Sequence, residues 1–134
     1  MLVIGLAGGA LKSREAVARA LVERGGQQFA ECNFGGENYY ARRVERLEVA
    51  IDSAQAGRPL APALVFTHLL TEGEAQALRR RGGYVWHVLG PVSVDVVIRL
   101  GDQRVTERPG GERHWLDPLE ALSEVLLQRA QAAR

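Results

Sequence analysis

Cysteine is almost absent from the sequence, because Cys32 is the only one among 134 residues. A single cysteine cannot form a disulfide within the chain, and the sequence has no Cys-x-x-Cys pair and no cluster of histidine and cysteine at metal-ligand spacing. The sequence therefore predicts neither a disulfide scaffold nor a metal site. A cytoplasmic protein is the simplest expectation for such a chain.

The sequence also lacks a clear excess of charge and any long apolar run. Its formal net charge is +1, whereas nonspecific binding to nucleic acids or anionic membranes depends on a basic excess. No apolar run approaches the roughly 18 residues that suggest a membrane-spanning helix. Hydrophobic residues make up 46% of the sequence and charged residues 25%, as in an ordinary globular protein. We therefore expect one soluble domain over residues 1–134.

Short apolar runs alternate with amphipathic stretches along most of the chain. The apolar runs predict buried strands at residues 2–7, 63–66, 84–89 and 92–100. The amphipathic stretches predict helices that begin near residues 13, 37, 71 and 117. Residues 27–34 fit a strand or an extended connection, and residues 101–115 fit a hairpin or an exposed loop. This alternation predicts an α/β fold with a mostly parallel sheet and helices on both faces.

Polar residues mark the predicted helix starts, and glycines mark the breaks. Ser13 is expected to cap the first helix, and Asp117 with Glu120 suits a capping box for the last. Thr71 and Glu74 suit a second capping box. The predicted breaks lie at Gly25-Gly26, Gly35-Gly36, Gly57-Arg58-Pro59 and Gly82-Gly83.

The stretch that starts at Gly5 reads G-L-A-G-G-A-L-K-S-R-E-A-V-A. It resembles the opening of phage-type deoxynucleoside monophosphate kinases, a P-loop family with sequences like G-L-T-G-x-x-x-S-G-K-D-T-V-A. Gly8 falls on the first glycine of the phosphate loop. Ser13 replaces the second glycine, Arg14 the lysine and Ala16 the metal-binding hydroxyl residue.

A second stretch, T-H-L-L-T-E-G-E-A from Thr67, is similar to the family's T-D-V-R-F-P-N-E-A. His68 and Leu70 stand at its acidic and arginine positions, and Glu74 keeps its chemical type. The resemblance implies a P-loop-kinase-like three-layer sandwich. It also implies a reduced domain, because residues 25–38 leave no room for the family's substrate-binding section.

The replaced residues are the ones that phosphate chemistry needs. In a P-loop the second glycine lets backbone N–H groups turn toward the phosphates, the lysine bridges the outer phosphates and the hydroxyl holds Mg²⁺. Ala16 cannot ligate a metal, and the planar fork of Arg14 does not replace an ammonium cleanly in a tight loop. The candidate phosphate-binding residues are Gly8, Gly9, Lys12, Ser13 and Arg14, with His68 and Glu74 at the edge of the site.

Each of these positions also has a purely structural interpretation. Lys12 is either a phosphate ligand displaced by one helical turn or an ordinary solvated lysine, and the second interpretation is favoured. His68 follows a buried strand, where α/β sheets gather functional side chains. A hydrogen-bonded histidine at the edge of the core is nevertheless favoured over an acid, a base or a ligand.

Aromatic residues and arginines in or beside loops form a candidate protein interface, since such residues often anchor interfaces. They are Phe34, Tyr39, Tyr40, Arg42, Arg43 and Trp115. The aromatic residues suit a role in covering the core equally well. Arginines also cluster at residues 42–46 and 79–81, but interleaved glutamates favour solvated helix faces over a nucleic-acid surface.

Three hypotheses follow, in order of preference. The first is a non-catalytic, phage-derived protein-binding module on a degenerate nucleotide-kinase scaffold, without a cofactor. Such a module would act in the host cytoplasm, as an inhibitor of a host process or of a defence such as CRISPR; its phage origin is implied by the resemblance alone. The second is a nucleotide-binding protein or deoxynucleoside monophosphate kinase with an atypical P-loop, which requires ATP and magnesium. The third is nucleic-acid binding through the arginine-rich helix faces, and no membrane partner is expected.

Overall fold

A computed structural model of the protein describes residues 1–34, 37–56 and 63–133. These residues form five strands, β1 to β5 in chain order: Leu2–Ala7, Phe29–Cys32, Ala63–Leu69, Tyr84–Val88 and Gln103–Val105. They also form four helices, α1 to α4: Leu11–Arg24, Tyr40–Ala56, Glu72–Arg80 and Pro118–Ala132. All strand pairs are parallel, and the order in the sheet is β2-β3-β1-β4-β5. The predicted α/β class with a parallel sheet is confirmed.

The helices cover both faces of this sheet. Side chains on one face of β1 pack into a cluster with α1 and α4, which includes Leu6, Leu21 and Leu122. Side chains on the other face pack into a cluster with α2 and α3, which includes Val3, Leu47 and Leu78. β1 is buried at every position, and a fully buried leucine contributes about 1.5–3 kcal/mol relative to an exposed one. The described residues therefore form a three-layer sandwich with β1 at its centre.

The capping predictions are confirmed in full at α4, in part at α3 and are wrong at α1. The Asp117 side chain accepts from the Glu120 N–H and the Glu120 side chain accepts from the Asp117 N–H, which is the predicted capping box. Thr71 caps α3 by accepting from the Glu74 N–H. Ser13, however, lies inside α1, whose N-cap is Ala10 without a side-chain bond. The helix begins early because Gly8 and Gly9 adopt positive φ angles of 70° and 66° and turn the chain directly after β1.

Residues 92–100 do not form the predicted strand. Because β5 runs parallel to its neighbour β4, the chain must return to the other end of the sheet between them, which takes about a dozen residues or more. Residues 89–102 supply this crossover, and within it Val96 packs into the cluster with α2 and α3. The prediction was wrong because an apolar run in a crossover connection has the same local sequence pattern as one in a strand.

The fifth strand comes from the stretch that was expected to be a hairpin or a loop. β5 pairs with β4 from Gln103 to Val105. Further along, Glu112 and Trp115 exchange two backbone hydrogen bonds of 2.8 Å, which confirms a tight hairpin at that point. The stretch therefore contains both a short edge strand and a hairpin.

The helices have lengths that are ordinary for a globular protein. α2 spans 17 residues. Among the described residues, none of the helices combines the length and the hydrophobicity that crossing a membrane requires. The predicted breaks at Gly35-Gly36 and Gly57-Arg58-Pro59 lie outside the described residues.

Candidate functional site

A cleft of about 360 Å³ opens at the carboxyl ends of β1 and β3. The chain leaves β1 into α1 on one face of the sheet and leaves β3 into α3 on the other face. Parallel sheets commonly bind ligands at such a point, because the diverging connections leave a crevice between them. The residues that line this carboxyl-edge cleft include Leu11, Arg14, Glu15, Asn38, Arg43 and His68.

The resemblance to P-loop kinases aligns Arg14 with their lysine. The guanidinium of Arg14 is hydrogen-bonded by the chain itself. Nη1 donates to the carbonyl oxygens of Gly8 and Gly9 at 2.9 and 3.0 Å. Nε donates to Nδ1 of His68 at 3.1 Å. A phosphate loop turns backbone N–H groups toward its anion, whereas this loop turns two carbonyl oxygens toward a cation.

The loop itself is short and is closed by a neighbouring turn. Only Gly8, Gly9 and Ala10 separate β1 from α1. The N–H of Gly9 donates to the carbonyl oxygen of Pro91 at 2.7 Å, in the turn that follows β4. A Cβ atom on Gly9 would lie 2.8 Å from Cγ1 of Val88, so the two segments are in close contact.

These residues do not fit a magnesium nucleotide. The N–H of Gly9 has a protein acceptor, Arg14 is bonded to carbonyl oxygens, and Ala16 offers no ligand atom. Lys12 is exposed on the first turn of α1, and Ser13 donates to Oε1 of Glu107 at 3.1 Å. Of the predicted phosphate-binding group, the structure brings together Gly8, Gly9 and Arg14 and adds His68 to them.

His68 lies half-buried in the cleft wall, as a hydrogen-bonded histidine at the edge of the core. Burial lowers the pKa of its imidazole, and the positive charge of Arg14 lowers that pKa further. Since Nδ1 accepts from Arg14, the proton of the neutral ring is assigned to Nε2. The hydrogen bond and the half-buried position are those that the structural interpretation of His68 predicts.

Arg43 and Glu74 form a buried ion pair beside the cleft. Nε of Arg43 lies 3.0 Å from Oε1 of Glu74, and their side chains are 5% and 0% exposed. The remaining nitrogens of Arg43 donate to the carbonyl oxygens of His68 at 2.8 Å and Glu37 at 3.0 Å. Arg43, one of the predicted interface residues, is therefore buried, and its guanidinium joins α2 to α3 and to the end of β3. Glu74 does not line the cleft itself but binds Arg43, which does.

A second depression, of about 560 Å³, lies along the outer side of α2. Its lining residues are Phe34, Arg42, Glu45, Arg46, Val49 and Ala50, and we call it the α2 groove. Tyr39 and Tyr40, at the start of α2, are 71% and 63% exposed. The guanidinium carbon of Arg42 lies 5.5 Å from the ring centroid of Tyr39.

The structure brings three predicted interface residues to one surface. Phe34 and Arg42 line the α2 groove, and Tyr39 lies against Arg42. Tyr40, at the first position of α2, is also exposed. Trp115 lies elsewhere, partly buried in the hairpin before α4. No sequence cue separates the exposed Arg42 from the buried Arg43, although the two are adjacent in the chain.

Most of the arginines proposed for a nucleic-acid surface are held by carboxylates. Arg79 lies 2.7 Å from Asp102, and Arg81 lies 2.6 Å from Glu48 and 2.9 Å from Asp52. Such paired guanidinium groups offer little free charge to a phosphate backbone.

One buried polar pair had no signal in the sequence. Nε2 of His87 lies 2.8 Å from Oδ2 of Asp102, at the start of β5. Burial raises the pKa of Asp102, but hydrogen bonds from His87, from the Arg99 N–H and from Arg79 outweigh it, so the pKa lies below its usual value. This pair anchors the end of the crossover against β4 and α3.

Comparison with known proteins gives no match: no protein-family model fits the chain, and no curated protein or solved structure is significantly similar to it. Within residues 1–34, 37–56 and 63–133, no group of three or more histidine, cysteine or acidic residues is placed to hold a metal ion.

Proposed function

We propose that this protein is a non-catalytic protein-binding module and that it binds its partner through the α2 groove together with Tyr39 and Tyr40. One observation carries the proposal: two adjacent tyrosines are largely exposed at the start of α2, and one of them, Tyr39, contacts Arg42, which lines the groove. Tyrosine and arginine are enriched among the residues that dominate binding energy in protein interfaces. Their clustering at one place favours a partner surface over a solvated helix face.

The geometry of this surface suits binding without large rearrangement. The contact of Arg42 with Tyr39 favours one arrangement of these two long side chains before any partner arrives, which reduces the entropy lost on binding. Val49 is exposed and gives the groove an apolar wall, whereas Glu45 and Arg46 give it a polar rim. An apolar centre with a charged rim is the usual composition of a protein interface.

The proposal includes a more specific role, which follows from the resemblance to phage nucleotide kinases. A phage-derived inhibitor of a host process or defence, acting in the cytoplasm, needs a stable scaffold and a partner surface but no catalytic centre. Arg14 supports this form, since three of its N–H groups already bind carbonyl oxygens and His68 within the chain.

A nucleotide-binding protein is the second candidate, because the carboxyl-edge cleft lies at the switch point of the sheet. We expect calorimetric titration with ATP and with a deoxynucleoside monophosphate, each with and without Mg²⁺, to show no binding up to about 1 mM ligand. Magnesium-dependent binding at micromolar ligand would overturn the non-catalytic proposal and direct mutagenesis to Arg14.

The partner surface is tested by affinity capture from an extract of the source cells. The test variant is Tyr39→Ser/Tyr40→Ser, and the matched control is Val22→Ser/Leu127→Ser, which changes two exposed apolar residues on the opposite layer. We expect the wild type and the control to recover the same protein and the tyrosine variant to lose it at least about tenfold. Equal recovery by all three would contradict the assignment of the α2 groove.

A further inference from the structure

The two edges of the sheet differ in what lies beside them. Outside β5, the backbone of Leu116 accepts from the N–H of Thr106 at 2.8 Å and donates to the carbonyl oxygen of Arg104 at 3.0 Å. Outside β2, no further strand follows in the part of the chain that the structure describes. Alternate residues of a strand turn their backbone groups to opposite sides, so about half of those in β2 face away from β3. This edge therefore offers backbone donors and acceptors to another strand.

The side chains of β2 do not protect this edge. Exposed edge strands commonly carry lysine, proline or a bulge that prevents pairing with another chain. β2 reads F-A-E-C and pairs with β3 at all four residues without a shift of register. Its one charged residue, Glu31, accepts from the hydroxyl of Thr67 on β3 at 2.6 Å, so its carboxylate is turned toward the sheet. The edge is therefore regular and open to strand addition.

The α2 groove lies on the side of this same edge. Phe34, two residues after β2, lines the groove and packs on Phe66 of β3, with ring centroids 5.8 Å apart. Arg81, just after α3, contacts the opposite flank of α2 through Glu48 and Asp52. Because α2 connects β2 to β3, the flank that faces away from α3 lies toward the β2 edge. The edge and the groove therefore form one continuous surface.

The groove adds side-chain chemistry to the backbone edge. Phe34 and Val49 give it apolar walls, and Val49 is 55% exposed. Two arginines and one glutamate also line it, which leaves one positive charge in excess. Arg42 is exposed, and none of the ion pairs among the described residues includes it. Its planar guanidinium is suited to a carboxylate, so the surface is complementary to an acidic side chain beside an apolar one.

We propose that the partner contributes an extended segment, which adds to the β2 edge as a sixth strand and places side chains in the α2 groove. The inference rests on the proposed function, because it names the part of the partner that this groove binds. Main-chain hydrogen bonds give affinity when a strand is added to a sheet edge, and pockets for alternate side chains give specificity. The segment carries an acidic residue opposite Arg42 and, at an alternate position, an apolar residue against Phe34 and Val49.

The short length of β2 sets the expected strength. Its four residues offer only a few backbone groups to a partner, and each hydrogen bond makes a modest net contribution. The groove adds one charge pair and a small apolar area. We therefore expect a dissociation constant of about 1–100 µM for an isolated peptide, and we expect it to depend on both the backbone and the charge.

Selection of random peptides of about ten residues on the immobilised protein tests the kind of segment that binds. We expect the selected peptides to carry an acidic and an apolar residue at alternate positions. The strongest binder is then made with N-methyl groups on either of its two sets of alternate backbone amides. Because an added strand uses one side only, one methylated peptide should bind at least about tenfold more weakly and the other should bind as the parent does. A selection without binders overturns the proposal, and so do two methylated peptides that bind equally well.

Charge reversal tests the contact with the groove. Arg42→Glu is expected to bind the selected peptide at least about tenfold more weakly. The matched control is Arg19→Glu, because Arg19 is an exposed arginine on α1 and should not affect the peptide. Equal binding by the wild type and Arg42→Glu would contradict the assigned contact. If the wild type alone dimerises and its β2 amides become protected, the edge belongs to a second copy and the peptide assignment is wrong.

Hydrogen exchange on the captured complex separates this inference from the proposed function. We expect the β2 amides to exchange more slowly in the complex than in the free protein, because the added strand accepts from them. If Tyr39→Ser/Tyr40→Ser loses the partner but the β2 amides exchange equally fast in both states, only the strand addition fails. If that variant retains the partner, the proposed function itself fails, whatever the β2 amides show.

Discussion

Arg14 makes all three of its hydrogen bonds to the segments that surround it. The planar fork of a guanidinium matches this task, because its nitrogens donate in fixed directions to the carbonyl oxygens of Gly8 and Gly9 and to His68. The same bonds use three of the five N–H groups of the guanidinium, and the two on Nη2 make no hydrogen bond among the described residues. An arginine at this position therefore differs from a lysine, because its charged group holds the surrounding segments together.

Arg14→Ala is expected to lower the free energy of unfolding by about 1–3 kcal/mol, because two carbonyl oxygens and His68 lose a charged donor. Arg14→Lys should recover only part of this loss, since a single ammonium cannot reach all three acceptors. Urea denaturation measures both changes. Lys12→Ala, at an exposed position two residues away, is the control and should stay within about 0.5 kcal/mol of the wild type. A lysine variant as stable as the wild type would contradict the assigned role.

His68 predicts a dependence of stability on pH. Burial and the charge of Arg14 lower its pKa in the folded state below the usual value of 6.5, so the unfolded chain takes up the proton first. The stability that the neutral ring contributes is complete above that usual value and is lost as the pH falls through the folded-state pKa. Denaturation at about pH 7.5 and about pH 5.5 should therefore show a smaller difference for His68→Gln than for the wild type. An equal difference would show that His68 does not titrate in this way.

The candidate site could be predicted from the sequence only as positions, not as contacts. Local rules and the resemblance single out Arg14 and His68, but they lie 54 residues apart in the chain, and their hydrogen bond depends on the register between β1 and β3. The sequence predicts Arg43 at a protein interface and Glu74 at the edge of the phosphate site. No local pattern indicates that they form a buried pair.

At the scale of elements, the ends of helices follow from short-range chemistry more reliably than the choice of strands does. Asp117 and Thr71 cap their helices because a capping bond needs only the next three residues. β5 and the crossover were exchanged in the prediction because both are decided by the order of strands in the sheet. The order of the strands is set by packing across the whole core. A stretch of nine residues, such as 92–100, therefore cannot predict it.

The buried pair of Arg43 and Glu74 connects α2 to α3 and predicts strong coupling between them. Arg43→Met is expected to cost about 3–5 kcal/mol, because it leaves a buried carboxylate without its cation. Adding Glu74→Met should recover part of that loss, which a double-mutant cycle by urea denaturation measures. Arg46→Met is the control, since Arg46 is half-exposed and 3.5 Å from Glu37, and it should cost less than about 1 kcal/mol. Additive effects of Arg43→Met and Glu74→Met would contradict the pairing.

At the scale of the whole molecule, stability should be graded from the centre of the sheet to its edges. β1 is buried at every position and pairs with β3 and β4, whereas β2 has a strand partner on one side only among the described residues. We expect the amides of β1 to exchange hydrogen only through global unfolding and those of β2 through smaller openings. Hydrogen exchange at increasing denaturant distinguishes the two. Equal exchange free energies for β1 and β2 would contradict this gradient.

The contact between the turns after β1 and β4 has a consequence for anyone who would engineer this protein. A Cβ atom on Gly90 would lie 3.0 Å from the Cα of Gly9, so the two turns meet backbone to backbone. Substituting Ser13→Gly, Arg14→Lys and Ala16→Thr would restore the residues of a phosphate loop but not the space that such a loop encloses. Installing that loop requires a longer connection after β1 and a displaced turn after β4 in the same design. The two turns are in backbone contact, so neither can move without the other.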